Sequence, residues 1–374
     1  MRRTYKYKAK ITKATEVACN QWLSLCCRLY NAALEQKIDA YSRCRVSLSA
    51  WQQMKELPAL KDAFPEYKTV VAQVLQDVIN RLDKAFRGFF RRVKAGNAKA
   101  GFPRFKSFTR YDSFTLTQAG WKLEGRYLYV KGVGRFKLFL SRPIEGSIKT
   151  VTVCRMSTGK WFVCFSCDHV PARAFPEVTD AVGIDVGLKY FCKDSDDHTI
   201  ENPRFLRQGS NLIRRRSRSL ARKKKGSQNR KEARVLLAKA HEKVYNQRYD
   251  FAHKTANYYV SKYNEIYVED LNIRNMVKNR HIAKSISDAA WGTFFDCLTY
   301  KAEEAGRQIT KVNPRKTSQN CSQCGALVPK TLSVRVHYCP TCGVTLDRDL
   351  NAAINIKALG QRVQALTSTI AGVA

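Results

Sequence analysis

Apolar positions along the chain fall into three textures. Residues 3–11, RTYKYKAKI, alternate with period two, the pattern of a half-buried strand. From about Glu16 to Tyr41, Trp22, Leu25, Cys26, Leu29 and Ala33 recur at helical spacing. A second helical stripe runs from about Tyr67 to Lys94 through Val71, Leu75, Val78, Leu82, Phe86, Phe89 and Val93. Its opposite face carries Arg81, Lys84, Arg87, Arg91 and Arg92, which fits either plain solvation or contact with a phosphate backbone. From Gly101 to Val170 the texture changes to short β-type runs, RYLYV, FKLFL, KTVTVC and WFVCFSC, separated by Gly, Pro and Ser turns. This predicts a small β-barrel or sandwich (residues 1–14 and 96–175) with a helical insertion at 15–95 after its first strand. Phe102, Phe105, Phe108, Tyr111 and Phe114 interleave with Arg104, Lys106 and Arg110. That mixture suits base stacking and phosphate contact, with core packing taking part of the aromatics.

Beyond a Pro-containing linker near 171–180, strands and helices alternate, which is α/β texture. AVGIDVGLKYF (181–191) reads as one buried strand. Helix-like sequence continues to about Tyr263, and EIYVED follows as a strand. Ser287 is placed to cap a helix running to about Ala305, and RQITKV gives a further strand. The residues after Gly360 are small and polar and predict a frayed, flexible tail over 358–374.

Charge narrows the function. The 374 residues hold 67 Lys and Arg against 31 Asp and Glu, a net +36. No fold needs that excess, which costs self-repulsion; a polyanionic partner offsets it, and nucleic acid is the usual one. Residues 207–231 contain eleven Lys and Arg and no acid. Arg214, Arg215, Arg216, Arg218, Arg222, Lys223, Lys224 and Lys225 are therefore the candidate phosphate contacts. Hydrophobic content of 44% excludes a disordered basic tail. No apolar run approaches the ~18 residues of a membrane span, and no h-region follows the basic N-terminus. A cytosolic location is expected, nucleoid-associated in a prokaryotic host.

The thirteen cysteines, an odd number, fit reduced thiols and metal ligation better than a disulfide framework. Cys321-x2-Cys324 and Cys339-x2-Cys342 are fourteen residues apart, and a glycine follows each pair. Two such knuckles supply four soft ligands to tetrahedral Zn²⁺, and the glycines let the backbone turn under the sulfurs. With four protein ligands no position stays open for water, so this zinc (in a ribbon over 315–346) is structural. Cys164-x2-Cys167 lies in an alternating strand, where positions three apart face opposite sides, and so is not a metal site.

Three carboxylates occupy distinctive contexts. Asp185 ends an apolar strand in GIDVG, Glu269 ends IYVED, and Asp349 opens a helix in DRDLNAAINI. Carboxylates at one sheet edge can converge, and such a cluster repels itself unless a cation neutralises it. Mg²⁺ meets that need with oxygen ligands. Each acid taken singly also fits a turn or helix cap.

In order along the chain, GIDVGLK, ENPRF (201–205), VEDLN (268–272), SQNCSQCG with CPTCG, and DRDLNAAINI resemble the TnpB family of transposon-encoded proteins, relatives of type V CRISPR effectors. SDAAW (287–291) and YKAEEAG (300–306) extend the resemblance, which covers roughly 178–357 closely. The N-terminal half matches in its layout and in GFPRFKS. The resemblance implies a multidomain α+β and α/β protein: an N-terminal β-barrel with a helical insertion, then a RuvC-like, RNase H-type nuclease domain (178–357) carrying the zinc ribbon. It implies Asp185, Glu269 and Asp349 as the Mg²⁺-binding catalytic triad, with Asp270 and Asp347 as the acidic neighbours of second choice. It implies an RNA-guided DNA endonuclease, with a guide RNA from the transposon end and double-stranded target DNA as partners. Three alternatives stand beside it: a strand-transferring transposase, a guided binder that does not cut, and a zinc-containing DNA-binding protein without activity. Acids at all three triad positions speak against the second. The third leaves GIDVG, VEDL and DRDLNAA unexplained.

Overall fold

The computed structural model describes residues 1–96, 100–171, 175–331 and 333–371, with side chains through Leu366. Two compact units divide the chain, Met1–Pro171 and Ala172–Ala374.

In the first unit, β1 (Arg3–Ile11) buries Tyr5, Tyr7 and Ala9 and turns its lysines outward, as period two requires. Thr12 caps α1 (Lys13–Cys44) by accepting from the Thr15 amide, and the helix ends where Arg45 turns left-handed. Two short helices, α2 (Ala50–Lys55) and α3 (Leu57–Ala63), precede α4 (Ala72–Lys94). The α4 stripe is buried through Val74, Leu75, Val78, Ile79 and Leu82, whereas Val93, near the end, is exposed. Strands β2 (Ser113–Leu116), β3 (Trp121–Glu124), β4 (Tyr127–Val130), β5 (Gly134–Phe139), β6 (Ser147–Arg155) and β7 (Trp161–Asp168) follow. With β1 they form one antiparallel sheet of order β2-β6-β7-β1-β5-β4-β3.

The sheet is a curled half-barrel and not the closed barrel the turn pattern predicts. Its end strands β2 and β3 have four residues each and do not pair with one another. At β2, α4 supplies polar partners instead: the Arg81 guanidinium donates to the Ser113 carbonyl at 2.8 Å and the Thr115 hydroxyl at 2.7 Å. Arg81 is thus a packing residue, although it lies on the basic face of α4. The aromatic run divides as well. Tyr111 and Phe114 are core, Phe114 against Trp22 at 5.3 Å between ring centres, while Phe102, Phe105 and Phe108 are exposed. Cys164 and Cys167 face opposite sides of β7, and only Cys167 is buried.

The second unit is built on a mixed sheet. The predicted strand over 181–191 is a hairpin, β8 (Ala181–Val186) and β9 (Tyr190–Asp194), because Gly187 turns the chain and donates its amide to the Phe191 carbonyl. Then come β10 (Thr199–Glu201), α5 (Phe205–Ala221), α6 (Gln228–Lys262), β11 (Glu265–Glu269), α7 (Ile273–Met276), α8 (Ala283–Ala289), α9 (Trp291–Glu304) and β12 (Gln308–Val312). A small hairpin, β13 (Val336–Tyr338) and β14 (Thr345–Asp347), leads into α10 (Arg348–Ala371). The sheet order is β10-β9-β8-β11-β12; β8, β11 and β12 are parallel, while β9 runs antiparallel to both of its neighbours, β8 and β10.

Two expected helix ends moved. Ser287 does not cap α9: it lies inside α8, and left-handed Ala290 (φ 58°) separates the two helices. The neighbouring Asp288 caps a different helix, accepting from the Leu206 and Arg207 amides at 2.7 and 2.9 Å at the start of α5, whose own N-cap residue, Arg204, makes no side-chain cap bond. The chain after Gly360 is not frayed at its start, since Gln364 bonds Glu265, Gln308 and Tyr267 across the strand ends.

Candidate active site and metal centre

Helix α10 lies against β8 and β11 at two positions where only glycine fits. A Cβ on Gly183 would stand 2.1 Å from the Ala353 carbonyl oxygen, and one on Gly360 would stand 2.0 Å from the Tyr267 ring. This close approach brings the start of α10 to the ends of the strands that carry Asp185 and Glu269. Glu269 and Asp349 both act electrostatically on Asp185, with Asp347 beyond them. Burial first, then these neighbours, push the Asp185 carboxyl well above the usual carboxylate range, with Arg348 opposing. Burial also raises Glu269, offset by a hydrogen bond from Thr317. Asp349 is raised by burial and by Asp347, and held back by Arg335, Arg348 and Lys189.

The two acids of DRD divide their work. Asp347 accepts from the amides of Asp349 and Leu350 at 2.9 and 3.2 Å, so it is the helix cap. Asp349 makes no cap bond and sits 3.9 Å from Arg335, and of the two acids it acts more strongly on Asp185. At the other pair, Asp270 is exposed and sits 3.7 Å from Lys311, while Glu269 is half-buried beside Asp185. A cleft of about 270 Å³ opens nearby, lined by Lys189, Asn202, Arg204, Arg207 and Arg335 among others.

The four cysteines meet. Their sulfurs all lie within 4.8 Å of one another, with Cys321 to Cys342 and Cys324 to Cys339 both at 3.6 Å. That is far outside a disulfide bond. A tetrahedral ion with bonds of about 2.3 Å needs sulfurs about 3.8 Å apart, so the quartet can hold one metal. Gly325 and Gly343 have positive φ and donate back to the Cys321 and Cys339 carbonyls, closing each knuckle. Among the described residues this is the compact metal-type cluster; the carboxylates are near neighbours and do not form one.

Helix α10 also reaches the ribbon. Asn351 is fully buried, accepts from the Ser322 amide at 2.9 Å and donates to the Asn320 carbonyl at 2.8 Å. One turn on, Asn355 donates to the carbonyls of Thr317 and Asn320, both at 2.8 Å. The Thr317 hydroxyl in turn donates to Glu269 at 2.6 Å. Asn351, Asn355, Thr317, Arg335 and Asp288 carry no role in the sequence reading. The spacing of Asn351 and Asn355 by four was the available signal; Asp288 lay within SDAAW with no role attached, and Thr317 and Arg335 gave none.

Of the basic segment, Arg214, Arg215, Arg218, Arg222 and Lys223–Lys225 are exposed, and Arg216 is half-buried. They lie on the second half of α5 and the turn into α6, with no carboxylate in the stretch to neutralise them. No helix among the described residues is long and apolar enough to cross a membrane.

Comparison with known proteins places this arrangement in a class. The family described as "Probable transposase", OrfB of the IS605 type, matches residues 162–280, and the "Cas12f1-like, TNB domain" matches residues 291–356. A "Putative RNA-guided DNA endonuclease" of Streptomyces pristinaespiralis is 32% identical over 96% of this chain and 90% of its own length. The "Putative RNA-guided DNA endonuclease InsQ" of Escherichia coli K12 is 28% identical over 98% and 94%. The solved Cas12f1–sgRNA–target DNA complex shares the fold, with a TM-score of 0.58 at 17% identity over 91% of this chain and 82% of that one. The chain belongs to the TnpB/Cas12f family of transposon-encoded RNA-guided nucleases.

Proposed function

We propose that this protein is an RNA-guided DNA endonuclease that cuts with Asp185, Glu269 and Asp349 on Mg²⁺, and that Cys321, Cys324, Cys339 and Cys342 hold a structural Zn²⁺. The observation that carries the reading is the half-buried Asp185 near the end of β8, whose carboxyl is raised by desolvation and by the neighbouring Glu269 and Asp349. Such a group is destabilised as an anion in the protein alone and is stabilised by a hard cation.

The strand order β10-β9-β8-β11-β12, with only β9 reversed, supports an RNase H-type, RuvC-like domain. Magnesium, when bound, supplies a Lewis acid and an activated water for in-line attack on a phosphodiester. The chain's own residues hold and orient the rest. Lys189, Arg204, Arg207 and Arg335 line the cleft and would hold phosphates of the strand to be cut. The exposed cations of α5 and the following turn would hold the backbone of the guide RNA or its heteroduplex. Base pairing would then read the target, and the half-barrel with helices α1–α4 would read a short flanking motif. In this division, residues 1–14 and 96–175 form the wedge-like part, 15–95 the recognition insertion and 178–357 the nuclease part.

The test begins with co-expression beside the native flanking DNA and sequencing of the RNA that co-purifies. One abundant species from the element end is expected. With that RNA, matched DNA should be cut in Mg²⁺, and Asp185→Ala should lose cutting while keeping the RNA. Absence of any specific RNA would overturn the guided reading, and an active Asp185→Ala would overturn the triad.

A further inference from the structure

A loop leading into the cysteine ribbon reaches Glu269 in the carboxylate site. Thr317 is buried, and its hydroxyl donates to Glu269 Oε1 at 2.6 Å. The Pro314 carbonyl lies farther, at 3.3 Å, so the single hydroxyl proton goes to the nearer carboxylate. The residue before it, Lys316, is held in the left-handed region at φ 65°, a conformation that a non-glycine residue adopts only at a cost. Asn355 of α10 grips the Thr317 carbonyl from the other side at 2.8 Å. Thus a strained turn and a side-chain clamp both serve to place one hydroxyl. Oε1 is taken, and Oε2 has no protein donor among the described residues.

We propose that Thr317 is a positioning residue for the nuclease reaction: its hydroxyl fixes the rotamer of Glu269 so that one carboxylate oxygen remains for the divalent cation. It also joins the ribbon to the active site, because the loop that ends at Cys321 is the loop that aims Glu269. The glutamate side chain has three rotatable bonds and ends a strand, so without the tether it samples several directions. Groups that orient a metal ligand in this way cost about 10- to 100-fold in metal affinity or activity when removed.

The proposal rests on Glu269 being a metal ligand, and the experiment separates the two ideas. Thr317→Val keeps the β-branched shape and removes the hydroxyl; Thr317→Ser keeps the hydroxyl. Using the full chain with its RNA, Mn²⁺ binding is followed by electron paramagnetic resonance, and the Mg²⁺ concentration for half-maximal cleavage is read separately. Thr317→Val should weaken Mn²⁺ binding and raise the Mg²⁺ midpoint, each by about 10-fold or more, and Thr317→Ser should stay within about threefold of the parent. Zinc content should be unchanged in both. If Thr317→Val loses its zinc or does not fold, Thr317→Cys carries the test, since a thiol of similar size is a weak donor. Parent-like Mn²⁺ binding and Mg²⁺ midpoint in the valine or cysteine variant would overturn the proposal. Glu269→Ala marks the difference: a Glu269→Ala protein that still cuts defeats the triad reading, while a dead one beside a parent-like Thr317→Val defeats only the role of Thr317.

Discussion

Asp185 sits in an environment that opposes its own ionisation. Burial and the neighbouring Glu269 and Asp349 raise its folded-state pKa, whereas the unfolded chain leaves it at the ordinary value near 4. Between those values the folded protein binds more protons than the unfolded one, so metal-free stability falls as pH rises through that window and stays low above it. Asp185→Asn removes the charge. In magnesium-free buffer at pH 7.5, urea unfolding should find this variant more stable than the parent by about 1 kcal/mol, with the gap closing as pH falls toward the ordinary carboxylate range. A parent of equal or greater stability at pH 7.5 would contradict the electrostatic account. The residue scale also marks where sequence reasoning stops. GIDVG and VED point to Asp185 and Glu269 because each acid ends an apolar strand. DRD holds two candidates two residues apart, and spacing cannot rank them; the resemblance favours Asp349, and the cap bonds that engage Asp347 supply a physical reason. Thr317 was illegible because a threonine before a cysteine knuckle has no pattern of its own.

At the scale of elements, the ribbon and α10 are mutually dependent. Asn351 and Asn355 spend their amides on Asn320, Ser322 and Thr317, in a segment with little core beyond the cysteine quartet that could hold a metal. Removing the metal with a thiol-competing chelator should therefore loosen more than residues 315–346. Amide hydrogen exchange is expected to rise over that segment and over the first turns of α10 together, while α6 and β11 keep their protection. Faster exchange in the ribbon alone would show that α10 holds its start by other means. Elements with a single strong signal were readable in advance: β1 from its alternation, the knuckles from their spacing, α4 from its stripe. Those set by distant partners were not. The hairpin at Gly187 hid in a continuous apolar run, and the break at Ala290 has no sequence marker because Asp288 is drawn away to cap α5. The order of α10 past Gly360 depends on Gln364 meeting Glu265 and Gln308, nearly a hundred and more than fifty residues away in sequence.

For the whole molecule, the excess of +36 is the dominant physical property. Its densest part, the end of α5 and the turn to α6, has no acid to balance it. Replacing Arg214, Arg215, Arg216 and Lys223–Lys225 with glutamine should weaken guide-RNA binding at 0.15 M salt. It should also flatten the plot of log K against log salt by about 0.7 for each phosphate that the variant leaves unneutralised. A parallel plot with unchanged affinity would move the RNA elsewhere on the protein. The switch from β-rich to alternating α/β texture, the net charge and the cysteine quartet were legible because they depend on composition, period and spacing. Closure of the N-terminal sheet was not, because it depends on which strands meet at the ends, and α4 supplies Arg81 at β2 where a further strand would have paired.

One feature of α10 sets a limit on length. Between the Asp347 cap and Gln364 a single uninterrupted helix carries Asp349, the two ribbon-holding asparagines and Gly360 against Tyr267. A helix behaves as a keyed shaft: adding one residue advances everything beyond it by 1.5 Å and turns it by about 100°. An added residue within this span would point either the acid or the asparagines and glycine away from their seats. The spacing inside it is thus as binding as the residue types.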